Sequence, residues 1–238
     1  CTFVSKAQNN AMNEYATVKY DNTLTTGIQA HTNGLGLSFQ YMVNRSTNRY
    51  LTFKFDLINL KHPKETKVIN PIYDDAKPYI YGKMNSIFLL RPGIGNQFII
   101  ADKENPRGIR VNLNYILGSG FALLKPEYLN FLYQENSGNA YLRTEQYDPS
   151  NPHHNNQGNI YGGTGFFTGF DNLNSMIGAF AKVSLSFEWY DYQETFKSLE
   201  AGAMVDAFPE PVPIFAFIEN KNYFINLYVN FNFIGRRW

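Results

Sequence analysis

The chain has little charge, one cysteine and no long apolar run, and each shortage excludes a class of protein. No stretch of about 18 or more apolar residues occurs, which excludes a transmembrane helix. The net charge is only +1 and no run of like charge is present, so nothing favours nucleic acid or an acidic substrate as a partner.

The N-terminus has two interpretations, and both imply export. Phe3 and Val4, followed by the small-x-small run 5–7, fit the end of a cleaved secretory signal peptide. Alternatively, Cys1 is a lipidated N-terminus. Cleavage after Ala7 would leave no cysteine, hence no disulfide and no thiol nucleophile. We expect a signal-peptide remnant at 1–8, a lead-in at 9–22 and one barrel domain at 23–238.

What the chain does have is aromatic residues and regular alternation. It contains 17 tyrosines and 20 phenylalanines, which favour strands and form the girdles of membrane barrels. In the last segment, 223–238, apolar residues alternate with Asn226, Tyr228, Asn230 and Asn232. Because strand side chains point to opposite faces, this segment has one apolar and one amide-rich face.

Eight segments show this strand pattern, each about ten residues long, which is the span of a tilted membrane strand. In the fourth, Pro92, Gly93 and Gly95 predict a bulge. We predict an all-β fold, a closed up-and-down antiparallel membrane β-barrel of eight strands. The segments are 23–31, 35–44, 49–60, 85–100, 107–117, 176–190, 197–207 and 223–238.

The lengths of the connections provide a second signal. Connections after the second, fourth and sixth segments are short, and those after the third, fifth and seventh are long. Alternate connections of an up-and-down barrel lie at the same end, and outer-membrane barrels have short periplasmic turns and long outer loops. The asymmetry therefore predicts that both termini lie on the periplasmic side.

Charged residues fall on the face predicted to point inward, with four acids and four bases. The interior of an eight-stranded barrel is just wide enough for its own side chains. Buried charges must be paired, so the balance of sign predicts a packed ionic network. The alternative is a narrow ion or proton path. The residues are Lys54, Asp56, Arg91, Arg110, Lys182, Glu188, Glu200 and Asp206.

Two groups of residues suggest chemistry. The pair His153–His154 lies in a long polar connection without metal-ligand spacing, so a solvated loop is favoured over a metal site. His31, at the end of the first segment, would need Ser38 or Glu127 beside it to act as a catalyst near the rim. No Gly-x-Ser-x-Gly motif supports this. We therefore predict no catalytic, cofactor-binding or metal-binding residue.

A proline-rich stretch in the last long connection is a candidate docking loop, because rigid segments lose less entropy when they bind. It consists of Pro209, Pro211, Val212, Pro213 and Ile214. The alternative is that these residues pack against the other loops.

The alternating segments, the loop asymmetry and an ending that contains Phe231, Phe233 and Trp238 resemble small outer-membrane β-barrels of the Bacteroidota type, including porin-family and type IX secretion accessory barrels. In those barrels the final aromatic strand is a C-terminal signal. The resemblance implies the outer membrane of a Gram-negative bacterium. It also implies outer-membrane lipid, the barrel-assembly machinery during insertion and a membrane-complex protein as partners, and no cofactor.

The expected function is that of a barrel with a filled lumen, acting through its outer loops as a structural, interaction or secretion-accessory component. Three alternatives remain open at this point: a lipid A-modifying enzyme, a narrow porin or small-solute channel, and a soluble lipid-binding barrel. The charged inward face argues against the last, because a lipid carrier needs an apolar interior.

Overall fold

The computed structural model describes residues 21–102, 108–134, 139–190 and 195–238. The expected signal remnant at 1–8 and the lead-in up to residue 20 lie outside the described residues. The strands are β1 (Asn22–His31), β2 (Gly34–Ser46), β3 (Arg49–Leu60), β4 (Asn85–Ala101), β5 (Arg110–Pro126), β6 (Tyr128–Gln134), β7 (Ala140–Gln146), β8 (Ile160–Gly163), β9 (Asn174–Tyr190), β10 (Thr195–Ala207) and β11 (Tyr223–Arg237). A short helix, α1 (Pro152–Asn155), and two 3-10 turns (Gln157–Asn159 and Phe170–Asn172) lie in the longest connection.

Eight of the strands form a closed barrel in the order β1-β11-β10-β9-β5-β4-β3-β2, and every neighbouring pair is antiparallel. The predicted eight-stranded up-and-down antiparallel barrel is therefore confirmed. Strands β6, β7 and β8 form a separate three-stranded sheet, inserted between β5 and β9. Among the described residues, no helix is long and apolar enough to cross a membrane.

The bulge predicted at Pro92 to Gly95 is wrong. β4 keeps one register through this region, and its irregularity lies later, between Ile99 and Ala101. The glycines serve close packing instead. Gly93 lies opposite Gly118, and a Cβ added at Gly118 would approach the Phe180 ring within 2.7 Å.

The barrel is apolar outside and polar inside, since alternate residues of its strands face opposite ways. Large apolar side chains on the outer face are between about a third and two thirds exposed, and we call this surface the belt. Examples from four strands are Phe55, Leu113, Leu185 and Leu227. The inner face is lined by buried amides, hydroxyls and charges, such as Gln29, Thr52, Asn112 and Asn226.

The connections sort by length as predicted. Short connections follow β2, β4 and β9, and this end of the barrel, which also carries the start of β1 and the end of β11, is called the turn end. The long connections 61–84, 127–173 and 208–222 lie at the opposite end, the loop end, together with the tight turn after β1.

An apolar cluster closes the loop end of the barrel. Inward side chains from the ends of β3, β4 and β5 meet four residues of the last long connection, and all are at least nine-tenths buried. The cluster consists of Ile58, Leu60, Ile87, Leu89, Ala122, Leu124, Phe208, Val212, Ile214 and Phe215. The loop end is therefore filled by packed side chains.

One pair of variants tests whether the belt contacts hydrocarbon. Leu185 lies midway along β9, 41% exposed, and Leu142 lies on β7, outside the barrel, 50% exposed. Leu185→Arg should lower the free energy of unfolding by about 2–4 kcal/mol, the cost of a cation at the bilayer midplane. Leu142→Arg, the same change at similar exposure, should have little effect.

The measurement is urea unfolding of the protein in lipid vesicles. Equal effects of the two substitutions would contradict a lipid-facing belt.

Candidate functional site

Three ion pairs cross the interior of the barrel. Lys54 Nζ on β3 lies 2.7 Å from Glu200 Oε2 on β10, the strand diametrically opposite. Lys182 Nζ on β9 lies 2.6 Å from Asp56 Oδ2 on β3. Every one of these side chains is at most 2% exposed. The pairs therefore lie across the lumen, and they link strands that share no backbone hydrogen bonds.

The third pair has the most defined geometry. Arg91 donates two parallel hydrogen bonds to Asp206, from Nε to Oδ1 at 2.7 Å and from Nη2 to Oδ2 at 2.6 Å. Both side chains are at most 1% exposed. A bidentate guanidinium–carboxylate pair fixes orientation as well as distance. It joins β4 to β10 across the barrel.

Neutral side chains complete the network around Glu200 and Lys182. Glu200 accepts hydrogen bonds from Ser184 at 2.8 Å and from the Tyr228 hydroxyl. Lys182 donates to Gln29 at 2.7 Å, and its Nζ lies 4.2 Å from the centre of the Tyr228 ring. These partners meet the requirement that buried charges be both paired and hydrogen-bonded.

The other two predicted charges lie nearer the turn end. Arg110 donates to Asp102 at 2.8 and 3.2 Å. Glu188, opposite Arg110 in the β5–β9 register, accepts hydrogen bonds from Asn112 at 2.8 Å and Gln97 at 3.2 Å. Sequence reasoning missed Asp102 because it follows β4 and has no place in the strand alternation.

A small polar cavity of only about 10 Å³ lies in the turn-end half of the lumen. Its wall is made mainly of amides and hydroxyls, with the carboxylates of Glu188 and Glu200 and the apolar side chains of Met42 and Phe196. Glu200 forms one side of the cavity and also pairs with Lys54, so the charge network bounds it.

The docking loop expected at Pro209 to Ile214 turns its aliphatic side chains inward. Val212 is fully buried and Ile214 is 4% exposed, both within the apolar cluster at the loop end. Residues 209–211 are exposed, and Pro213 is half-buried. Of the two interpretations of this loop, packing within the protein therefore holds for Val212 and Ile214, because these side chains fill the mouth of the barrel.

The longest connection contains a folded unit that sequence reasoning missed. We call residues 127–163, with strands β6 to β8 and α1, the lobe. Its own apolar cluster joins Leu129, Phe131, Tyr147 and Ile160 to Tyr79 of the first long connection. Asn70 ties the two connections further, donating to the backbone oxygens of Gln157 at 2.9 Å and Ile160 at 2.7 Å.

His153 and His154 pack inside the lobe, so the expectation of a solvated loop is wrong for this pair. His154 is 3% exposed and stacks on Phe131 with ring centres 4.0 Å apart. His153 stacks on Tyr133 at 4.2 Å. Within the described residues, no group of three or more His, Cys, Asp or Glu could hold a metal ion.

Hydrogen bonds fix the ring nitrogens of His154. Its Nδ1 accepts the Asp148 N–H at 3.1 Å, so its Nε2 carries the proton and donates to Glu145 Oε2 at 3.0 Å. The Tyr133 hydroxyl donates to the same carboxylate at 2.8 Å. The hydrogen bond from Tyr133 is the largest cause that lowers the pKa of Glu145, and the hydrogen bond from His154 adds to it.

The candidate catalytic residues are not brought together. His31 lies at the loop end of β1, and its Nδ1 accepts the Asn33 N–H at 3.2 Å. Ser38 lies opposite Gly27, four residues along β1 from His31. Glu127 follows β5, the strand diametrically opposite β1. The arrangement offers no shared site for a nucleophile and its base.

The C-terminal aromatic residues lie on the outer face at the barrel closure. Phe231 and Phe233 are 40% and 39% exposed, and Trp238 is 52% exposed. The backbone N–H of Trp238 donates to the Asn22 oxygen at 3.1 Å, and its carbonyl accepts the Asn22 N–H at 3.0 Å. These bonds join the start of β1 to the residue that follows β11, where the two strands pair.

Comparisons with known proteins give weak similarity to two small barrels. The chain is similar to Ail, the attachment invasion locus protein of Yersinia pestis, solved in complex with the heparin analogue sucrose octasulfate, at 9% identity over 91% of this chain and 97% of that one, with a TM-score of 0.42. It is also similar to Neisserial surface protein A, at 8% identity over 91% and 95% of the chains and the same TM-score. No protein-family model and no curated protein matches. The strand pairing of the chain itself establishes the closed eight-stranded antiparallel barrel.

A double substitution tests the pair that crosses from β4 to β10. Arg91→Met should lower the free energy of unfolding in vesicles by about 3–5 kcal/mol, because it leaves Asp206 buried without its partner. Arg91→Met combined with Asp206→Leu should recover most of that loss, since no charge is left uncompensated. If the single variant is as stable as the unmodified protein, or the double variant is no more stable than the single, then Asp206 does not depend on Arg91 for its burial.

Acid should loosen the lobe through Glu145. Its pKa is lower in the folded lobe than in an unfolded chain, so its ionised form stabilises the lobe. That contribution is complete above the unfolded pKa and disappears as pH falls through the lower, folded value. Near-UV circular dichroism of the stacked tyrosines, followed from neutral to acid pH, measures the change.

Glu145→Gln is the matched control, because it keeps the shape of the side chain but cannot titrate. The acid transition should be weaker in this variant. Identical pH profiles for the two proteins would remove Glu145 as the cause.

Proposed function

We propose that this protein is an integral outer-membrane β-barrel with a side-chain-filled lumen, which acts through its loop-end lobe as an interaction component of a cell-envelope complex. A secretion-accessory role of the Bacteroidota type is the specific form suggested by the sequence. The partners in this proposal are outer-membrane lipid, the barrel-assembly machinery during insertion and a protein of the complex.

The observation that carries the proposal is the filled interior. Three ion pairs lie across the lumen and an apolar cluster fills the loop end. A narrow porin needs a continuous polar path past both the ion pairs and the apolar cluster. The filled interior favours a function on the protein's surface over passage through it.

The lobe supplies such a surface. β7 forms one edge of the three-stranded sheet, and all but one of its residues are exposed, including Tyr141 and Leu142 at 50% each. The free edge of a strand offers unpaired backbone N–H and C=O groups, to which an extended segment of a partner can add as a further strand. We therefore place the protein contact at β7.

Conductance separates the proposal from the porin alternative. The purified protein, inserted in a planar lipid bilayer, should show no steady ion current. The double variant Arg91→Ala with Asp206→Ala lacks one ion pair across the lumen. Its ion current, compared with that of the unmodified protein, measures how far this pair blocks the passage of ions. A steady current through the unmodified protein would contradict a filled lumen.

Photo-crosslinking in cells tests the contact on the lobe. A photoreactive amino acid at position 142 should give a defined protein adduct, because Leu142 lies on the exposed edge strand. The same amino acid at position 113, on the belt, is the matched control and should react with lipid. Absence of a protein adduct at 142, or the same adduct at both positions, would contradict the proposed contact.

A further inference from the structure

An exposed aromatic cluster lies on the outside of the barrel at the loop end. It consists of Phe88 on the outer face of β4 and three residues of the connection before β9, Phe166, Phe167 and Phe170. The centres of neighbouring rings are 5.3 to 6.3 Å apart. We call these four residues the Phe cluster.

The cluster exposes more apolar surface than packing within the protein explains. Phe167 is 81% exposed, the highest value among the large hydrophobic side chains of the described residues, and Phe166 is 59% exposed. Leaving such side chains in water forfeits roughly 25 cal/mol for every Å² of apolar surface that could be buried. An apolar environment outside the chain would recover that loss.

The loop that carries these rings is held in a defined shape. Lys125, on the outward side of β5 and 5% exposed, donates to the Thr168 carbonyl at 3.0 Å. Its Nζ also lies 5.8 Å from the centre of the Phe170 ring. Gly169 has a φ of +93°, a left-handed conformation that a residue with a Cβ rarely adopts.

The opposite side of the loop is tied to the first residue of β6. Thr164 Oγ1 donates to the Tyr128 carbonyl at 3.0 Å, and Asn172 Nδ2 donates to the Tyr128 hydroxyl at 2.8 Å. These contacts direct the polar side of the loop toward the lobe. The rings of Phe166 and Phe167 remain exposed.

The position of the cluster identifies its occupant. Phe88 pairs with Leu123, and directly below them Leu90 and Phe121 continue the outer apolar face of β4 and β5. On the next strand Ile177, which pairs with Phe121, is 62% exposed. The Phe cluster therefore extends the belt without a polar break, and the belt is the surface that faces lipid in the proposed function.

We propose that the loop 164–170 inserts Phe166 and Phe167 into the lipid leaflet on the loop side of the membrane. The loop then serves as an anchor that fixes the height and tilt of the lobe above the bilayer. This inference rests on the proposed membrane insertion of the barrel, and it adds a lipid contact made by a loop beyond the belt of the strands.

Site-directed spin labelling tests the anchor. In a Cys1→Ser background, a nitroxide is attached at Phe167→Cys, and the protein is reconstituted in vesicles of phosphatidylethanolamine and phosphatidylglycerol. Collision rates are measured with oxygen, which concentrates in lipid, and with a water-soluble nickel chelate. The label at position 167 should collide mainly with oxygen and be several-fold protected from nickel.

Two further labels separate insertion of the loop into lipid from insertion of the barrel. The label at Leu113→Cys, on the belt, should behave as lipid-exposed, and the label at Leu142→Cys, on β7, should be open to nickel. If position 113 is protected but position 167 reacts with nickel as strongly as position 142 does, the anchor is wrong and the barrel stands. If position 113 is itself open to nickel, barrel insertion and anchor are both overturned.

Substitution of Lys125 tests whether its hydrogen bond positions the loop 164–170. Lys125→Met removes the hydrogen bond to Thr168 while keeping the length of the side chain. The label at 167 should then become more mobile and lose part of its protection from nickel. An unchanged spectrum would show that Lys125 does not position the loop, and would contradict the anchor as described.

Discussion

The structure depends on burying charge inside a ring of strands while apolar side chains face outward. A strand presents alternate residues to opposite faces, so each barrel strand has a polar or charged inner face and an apolar outer face. In a bilayer every backbone group must find a partner within the protein, and a closed barrel provides this without a free edge. The interior charges are then isolated from water, so removing one partner from Lys54–Glu200, Lys182–Asp56 or Arg91–Asp206 would leave a costly uncompensated charge.

The loop end follows from the same constraint. The long connections do not extend freely into solvent: Phe208, Val212 and Ile214 return into the mouth of the barrel, and Tyr79 packs into the lobe. Met84 connects both regions, because its N–H donates to Ile214 and its carbonyl accepts from Glu127, each at 2.9 Å. The interior is thereby filled, and the surfaces left for function are the belt, the edge of the lobe and the Phe cluster.

The strand alternation and the connection lengths were enough to predict the barrel, because both are local properties of the sequence. The partners in the lumen were not predictable, since Lys54 and Glu200 lie on strands that share no hydrogen bonds and only the closed barrel brings them together. The strands of the lobe were missed because β7 is exposed on both faces and shows no alternation in burial. The sequence left docking and packing both open for Val212, because a proline-rich loop shows the same pattern whether it is solvated or packed.

The most direct test of the membrane barrel is whether its outer face is surrounded by lipid or by water. The chain has two tryptophans, and Trp189 lies on the outer face of β9 beside Phe231, with ring centres 6.3 Å apart. In a Trp238→Phe variant reconstituted in vesicles, bromine atoms on the lipid acyl chains should quench the Trp189 fluorescence strongly, and water-soluble acrylamide should quench it weakly. Strong quenching by acrylamide with none by the brominated lipid would contradict a lipid-facing outer surface.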